Sequence, residues 1–169
     1  GKLENLQSLT VRDNSYLQSI PTEIGKLVNL QAFDASSNSL NSVPATIGNL
    51  NKLRSLNLSH NKLSVLPRQF WNMQDLQEIN LEDNRLTYLP DSINRLPNLV
   101  SISLRDNKLE ELPESIGELG KLRELNLYDN LLRSLPASIG NLSALQELDL
   151  YNNQLESLPK EIGQLANLQ

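Results

Sequence analysis

The feature that most constrains this chain is one short unit that occurs seven times in succession. The stretch "ELNLYDNLLRSLP" begins at Glu124, and "ELDLYNNQLESLP" begins one unit later at Glu147; the two match at nine of thirteen positions. Asn recurs at 14, 38, 61, 84, 107, 130 and 153, so the period is 23, with a single step of 24 between the first two. A fixed period of this length indicates successive copies that stack and bury their apolar faces against one another.

Each unit predicts a strand followed by a turn. With Leu53 as position one, the unit reads LxxLxLxxNxLxxLPxxIGxLxx. The L-x-L alternation favours a short strand, and strands one period apart should pair in parallel about 4.8 Å from each other. The Asn at position nine can satisfy buried backbone groups, because an amide both donates and accepts. Pro at position 15 and Gly at position 19 should open a short helical or 3₁₀ turn and permit a tight bend.

The repeat also carries a family resemblance. A period in this range, together with LxxLxLxxNxL, is typical of a leucine-rich repeat. The stretch "LPESIGELGKLRELNLYDNLL" and its copies resemble the Ras-group repeats of intracellular Ras–MAP-kinase scaffold proteins, plant intracellular relatives and bacterial leucine-rich-repeat proteins. The resemblance covers the whole chain. It implies an α/β horseshoe with a parallel sheet on the concave face and short helical or 3₁₀ turns on the convex face. It also implies a partner-binding module without a catalytic motif.

Composition excludes several classes of function. Aromatic residues are only 4% of the chain, so the core should consist of Leu and Ile in rows. No apolar run approaches the roughly 20 residues that cross a membrane, and no leader pattern is visible. A net charge of −5 argues against nucleic acid as the partner. The absence of cysteine favours a reducing compartment, so a cytoplasmic location is expected, with a secreted bacterial effector acting inside a host cell as the alternative.

No enzyme chemistry is expected from this sequence. Stacking places Ser37, His60 and Asp83 in one row, about 5 Å apart, which imitates a Ser-His-Asp arrangement. That row lies on an open sheet, and nothing supplies an oxyanion hole. No stretch matches the EF-hand calcium loop. The chain is therefore predicted to be a non-enzyme without cofactor or metal.

The variable residues concentrate negative charge on one face. Positions three, five, seven and eight of each repeat should point away from the core. The acidic residues there are Asp13, Asp34, Glu78, Glu82, Asp83, Asp106, Glu124, Asp129, Glu147 and Asp149. The basic ones are Arg12 and Arg105, so these 28 positions carry a net −8, whereas the whole chain carries −5 and the remainder therefore +3. Eight of the ten acids lie in repeats four to seven.

Two tyrosines join these acids. Tyr128 and Tyr151 share position seven in neighbouring repeats, and Tyr is common in binding hot spots. The predicted partner-binding residues are Glu78, Glu82, Asp83, Arg105, Asp106, Glu124, Tyr128, Asp129, Glu147, Asp149 and Tyr151. The expected partner is a protein or peptide with a basic surface, not a nucleic acid or a membrane. The alternative is a solvated face without a partner.

Trp71 breaks the pattern, because it stands where other repeats have Gly or, in repeat four, Asn94. Gly and Asn tolerate a left-handed backbone and Trp does not. Trp71 is expected either to fold over a crevice between neighbouring turns or to contact another domain or protein.

The overall hypothesis is a protein-interaction module that binds its partner on the acidic concave face. We expect residues 1–169 to form one domain of about seven repeats, an uncapped fragment of a longer protein. Two alternatives stay open. The segment could serve substrate recognition in a larger enzyme or effector whose catalytic domain is absent, or it could be a structural or engineered repeat scaffold.

Overall fold

The computed structural model describes residue 3 and residues 5–169; Gly1, Lys2 and Glu4 of the expected first coil lie outside the described residues. The described chain forms one sheet of seven parallel strands in sequence order, and a 3₁₀ helix follows each strand. The strands are β1 (Ser8–Thr10), β2 (Ala32–Asp34), β3 (Ser55–Asn57), β4 (Glu78–Asn80), β5 (Ser101–Ser103), β6 (Glu124–Asn126) and β7 (Glu147–Asp149). The 3₁₀ helices are Thr22–Lys26, Ala45–Asn49, Arg68–Asn72, Asp91–Arg95, Glu114–Glu118, Ala137–Asn141 and Lys160–Gln164. This confirms the predicted solenoid, with the sheet on its concave side and 3₁₀ turns on its convex side.

The register of the sheet aligns equal repeat positions. Ser55 pairs with Glu78, and Leu56 pairs with Ile79. The same rule holds across the longer first step, where Leu9 pairs with Phe33. Side chains that share a repeat position therefore form rows that run across all seven strands. We call the surface formed by positions three, five, seven and eight the inner face.

The core is made of aliphatic rows, as predicted. In the third repeat Leu53, Leu56, Leu58 and Leu63 are all buried. The second repeat has the large Phe33 at position four and the small Ala35 at position six, where other repeats have two larger aliphatic residues. Both side chains are buried. The pair keeps the side-chain volume of the layer close to that of the other repeats, and volume-conserving exchanges are the ones that cores tolerate best.

The Asn residues at position nine form a hydrogen-bonded ladder beneath the ends of the strands. The Asn84 amide donates to the carbonyl oxygens of Leu58, Leu81 and Glu82 at 3.0–3.2 Å. Its Oδ1 accepts from the backbone N–H of Leu63 at 3.0 Å. From Asn38 to Asn153, each of these amides links its own coil to the preceding one, so the predicted framework role is confirmed.

The Gly residues of the convex side have a different purpose from the one predicted. None of the described glycines has a positive φ, so the left-handed bend expected at position 19 is wrong. Instead, a Cβ on Gly48 would clash with the backbone carbonyl of Gln69 in the next coil, and a Cβ on Gly117 would clash with that of Ser138. Gly is needed there because neighbouring 3₁₀ helices approach each other too closely for a side chain.

At position 19 of the third repeat, the large side chain of Trp71 stands where most other repeats have Gly and the close backbone approach. It is 1% exposed and packs edge-on against Phe70, with ring centroids 5.0 Å apart. The third and fourth 3₁₀ helices pack less closely than the other neighbouring pairs. The crevice interpretation is therefore confirmed, and the interpretation as an exposed contact residue is wrong.

Candidate partner-binding face

The inner face begins with a row of left-handed residues that the sequence patterns did not reveal. Every residue at position eight, from Asp13 to Asn152, has φ between 49° and 59°. This row contains only Asp, Ser, His and Asn. Asp, Asn and His are the non-Gly residues most enriched in the left-handed region. The restriction of position eight to these four residue types was the signal in the sequence that could have predicted the left-handed row. Asp83, Asp106 and Asp129 therefore fit the left-handed backbone, and they also place negative charge on the inner face.

Position five forms a second framework row that was missed. Oδ1 of Asn80 accepts the backbone N–H of Glu82 two residues later at 2.9 Å, and Asp149 does the same for Tyr151 at 3.0 Å. Asp34 accepts both the N–H and the hydroxyl of Ser36, at 3.0 and 2.6 Å. An Asn or Asp that bonds its own backbone two residues on is a local turn former. Asp34 and Asp149 therefore stabilise the backbone turn that follows their strands, and they also carry negative charge on the inner face.

Ser59 departs from its predicted outward orientation for the same reason. Its hydroxyl donates to Asn57 at 2.8 Å, and the residue is buried. In repeats two and three, position seven is therefore occupied by a small Ser that is buried. In repeats four to seven the same row carries long side chains, which form the most prominent feature of the inner face.

A continuous stack runs along that part of position seven. Nε of Arg105 lies 3.5 Å from the Glu82 carboxylate. The Arg105 guanidinium carbon lies 4.5 Å from the centroid of the Tyr128 ring. Tyr128 stacks on Tyr151, with centroids 5.1 Å apart and an interplanar angle of 18°. The structure therefore brings four of the predicted residues into one ordered row and leaves Tyr151 69% exposed at its end.

The carboxylates of position eight run parallel to this stack. Asp83 pairs with Nδ1 of His60 at 3.0 Å, and Asp129 accepts from the Asn152 amide at 2.8 Å. Between them, desolvation raises the pKa of Asp106, and the neighbouring Asp129 and Asp83 carboxylates raise it further. The three neighbouring carboxylates repel one another, so this row favours a cation over a further anion.

The acids of position three lie on the other side of the inner face. Glu78, Glu124 and Glu147 are all exposed at the first residues of β4, β6 and β7. The Ser101 hydroxyl donates to Oε2 of Glu124 at 2.8 Å. A shallow depression of about 440 Å³ extends across β3, β4, β5 and β6, and both Glu78 and Glu124 line it. The eleven predicted residues therefore comprise the four members of the central stack and the acids that flank it on both sides.

The predicted row of Ser37, His60 and Asp83 is open to solvent at His60 and Asp83. His60 and Asp83 are hydrogen bonded, but their side chains are 50% and 62% exposed. Both side chains stand on the open sheet. Across the described residues, no group of three or more His, Cys, Asp or Glu side chains could hold a metal ion. In the same part of the chain, no helix is long and apolar enough to cross a bilayer.

The repeat and its geometry match a known family. The leucine-rich repeat region family matches residues 1–85 and again residues 79–169. The chain belongs to the leucine-rich repeat family. A comparison with curated protein sequences finds no match.

Several solved leucine-rich repeat structures are similar. A leucine-rich repeat protein of Leptospira interrogans is 37% identical at a TM-score of 0.75, covering 98% of this chain and 48% of that one. The ectodomain of the Arabidopsis thaliana membrane receptor kinase GASSHO1/SCHENGEN3, in complex with CASPARIAN STRIP INTEGRITY FACTOR 2, is 34% identical at a TM-score of 0.87, covering 97% and 20%. The plant peptide hormone receptor RGFR1 in complex with RGF2 is 27% identical at a TM-score of 0.74, covering 99% and 32%. The chain thus spans about half of the first protein and less of the two receptors.

Proposed function

We propose that this leucine-rich repeat chain is a protein-interaction module that binds a basic peptide or protein surface on its inner face. The observation that carries the proposal is the Arg105–Tyr128–Tyr151 stack, which ends in a Tyr ring 69% exposed between two bands of carboxylates. A stacked Tyr pair offers a large, pre-ordered contact area at low entropy cost. Aromatic residues of this kind commonly form binding hot spots.

The charge of the inner face favours a cationic partner. Ten acids and two arginines give it a net −8, and eight of those acids lie in repeats four to seven, where the stack is. An acidic concave surface attracts a basic partner and speeds its approach. Seven strands at about 4.8 Å span roughly 34 Å, which fits an extended peptide of about ten residues.

The similar receptors add support of a general kind. GASSHO1/SCHENGEN3 in complex with CASPARIAN STRIP INTEGRITY FACTOR 2, and RGFR1 in complex with RGF2, share this fold, which supports a recognition role for the chain. Membership of the Ras-group subclass, a cytoplasmic location and the absence of catalytic activity are further parts of our proposal. The subclass rests on the repeat consensus, and the location rests on the lack of cysteine. The absence of catalysis rests on the solvent-exposed position of the only His.

The proposal can be tested with a displayed library of random peptides of about ten residues. Selection on the wild-type protein should enrich Lys and Arg. Tyr128→Ala combined with Tyr151→Ala should then weaken the selected peptides at least about 30-fold, corresponding to ~2 kcal/mol for loss of a hot spot. Fluorescence anisotropy of the labelled peptides measures this affinity directly.

The matched control removes two tyrosines that lie outside the inner face. Tyr16 and Tyr88 are 95% and 51% exposed, so Tyr16→Ala with Tyr88→Ala removes the same two side chains elsewhere. This control should leave peptide affinity unchanged. Selection of peptides without basic residues, or equal binding by the Tyr128/Tyr151 double variant, would overturn the proposal.

A further inference from the structure

We infer that the inner face contains a pocket for a single Arg or Lys side chain of the bound partner, located between Glu78 and Glu124. This inference rests on the proposed function and deepens it, because it assigns one residue of the partner to one place on the sheet. The pocket is separate from the tyrosine stack, since it lies at positions two to five and the stack lies at position seven.

The pocket exists because β5 carries short side chains between two strands with long ones. Val100, Ser101 and Ser103 line its floor. At position three the row reads Glu78, Ser101 and Glu124 on consecutive strands. Two strand spacings separate the glutamates by roughly 9–10 Å. The result is a notch one strand wide at β5. The depression as a whole continues over β4 to Ser55 and Asn57 of β3, and its volume of about 440 Å³ accepts a long side chain together with water.

The walls of the notch are negative and their charge is not neutralised from within the molecule. In the part of the chain that the structure describes, no ion pair joins Glu78 or Glu124 to a Lys or Arg. The Ser101 hydroxyl donates to Glu124 at 2.8 Å, which holds that carboxylate against the β5 side of its own strand, next to the notch. Asn57 and Asn80 also line the depression, but their Oδ1 atoms already accept backbone N–H groups of their own turns. The glutamates are therefore the charged acceptors available to a ligand.

The shape of the notch selects a cation on an aliphatic stem. Val100 provides an apolar surface at the entry to β5, where the neighbouring repeats have Gln77 and Arg123. Lys and Arg bury their methylene groups against such a surface and keep the charged end among polar groups. A guanidinium or ammonium placed between two carboxylates makes the charge-assisted hydrogen bonds that are stronger than neutral ones.

The same inner face provides a contrasting site. A second depression of about 180 Å³ lies between β1 and β3, lined by Ser8, Thr10, Ala32 and Asp34. The one carboxylate there, Asp34, is held by the backbone and hydroxyl of Ser36. That depression lacks the two facing glutamates. A further depression of about 210 Å³ between β5 and β7 has Glu124 and Glu147 on adjacent strands, without a strand of short side chains between them. We therefore assign the cation to the notch at β5.

The test repeats the selection from the random peptide library on the wild type and on Glu78→Gln combined with Glu124→Gln. Wild-type binders should share an Arg or Lys at one fixed distance from the residue that contacts the tyrosines. The Glu78/Glu124 variant should lose that fixed basic position, and a wild-type-selected peptide should bind it about tenfold or more weakly. Substituting that one basic residue of the peptide by norleucine should cost the wild type a similar factor and the Glu78/Glu124 variant little.

Two further variants exclude trivial explanations. Glu111→Gln with Glu156→Gln removes two exposed carboxylates that lie off the inner face, and it should retain both the affinity and the fixed basic position. Ser101→Lys places an ammonium of the protein itself in the notch, and it should weaken the peptide as much as the loss of both glutamates. Far-UV circular dichroism confirms that each variant is folded.

The outcomes separate this inference from the proposed function. If basic peptides are selected and depend on Tyr128 and Tyr151, but the Glu78/Glu124 and Ser101 variants bind them as the wild type does, the notch assignment is wrong and the binding face stands. If the wild type selects no basic peptides, the proposed function fails and the notch assignment fails with it.

Discussion

At the scale of single residues, Asn side chains serve two separate networks in this protein. At position nine a buried amide such as Asn84 makes four hydrogen bonds to the backbones of two coils. At position five a half-buried amide such as Asn126 accepts the N–H of Tyr128 at 3.0 Å, within its own turn. The first network holds the solenoid together, and the second sets the direction of the side chains at position seven.

This difference predicts unequal costs of removing the two amides. Asn84→Ala leaves buried backbone groups without partners, at roughly 1–3 kcal/mol each where water cannot enter, so the total should be at least about 2 kcal/mol. Asn126→Ala loses one bond near solvent and should cost about 1 kcal/mol or less. Urea unfolding followed by circular dichroism measures both. Equal losses would contradict the assignment of position nine to the framework and of position five to a local turn.

The sequence was sufficient to predict position nine but not positions five and eight. An Asn in every repeat indicates one shared structural need. Position five alternates between Asn, Asp, Ser and Thr, and position eight between Asp, Ser, His and Asn, so both rows resemble a variable binding surface. Their backbone roles depend on φ and on hydrogen bonds two residues away, which become visible only in the folded chain.

At the scale of elements, the 3₁₀ helices pack by close backbone approach rather than by side chains. Gly25, Gly48, Gly117 and Gly140 each lie against a carbonyl of the following coil. The sequence predicted a structural role for these glycines, but assigned them to a tight bend, because a Gly column alone does not distinguish a special φ from close contact. Trp71 takes the place of Gly in the third coil and is accommodated because the next 3₁₀ helix packs less closely there.

The buried position of Trp71 makes a direct prediction about stability. Trp71→Ala should destabilise the protein by about 3–5 kcal/mol, because it leaves a large cavity between two coils. Tyr88→Ala, at a half-exposed side chain beside the same crevice, should cost less than about 1 kcal/mol. Thermal and urea unfolding of the two variants give the comparison. A Trp71→Ala protein as stable as the Tyr88→Ala protein would mean that the crevice closes without the indole.

At the scale of the whole molecule, charge is separated between the inner face and its margin. The inner face carries −8 and the remainder +3. Part of that remainder is a row at position ten formed by Lys62, Arg85 and Lys108, all of them exposed. The parallel register places every member of a row at the strand spacing, so charges that are one repeat apart in sequence add up along the surface.

The sequence predicted this charge distribution correctly, since it requires only the repeat period. It could not predict the stack of Arg105 on Tyr128 or the notch at β5, because these depend on rotamers and on neighbouring side-chain lengths.

The measurement that tests the central claim most directly is the binding kinetics of a selected basic peptide over a range of ionic strengths. We expect Asp129→Asn, Glu147→Gln and Asp149→Asn together to lower the association rate and to flatten its dependence on salt, because charges at the rim mainly steer the encounter. Asn still fits the left-handed backbone at position 129 and can still accept the Tyr151 N–H at position 149, so the fold should be unchanged. Tyr128→Ala with Tyr151→Ala should instead raise the dissociation rate. If neither set of substitutions changes either rate constant, the inner face is not the binding surface.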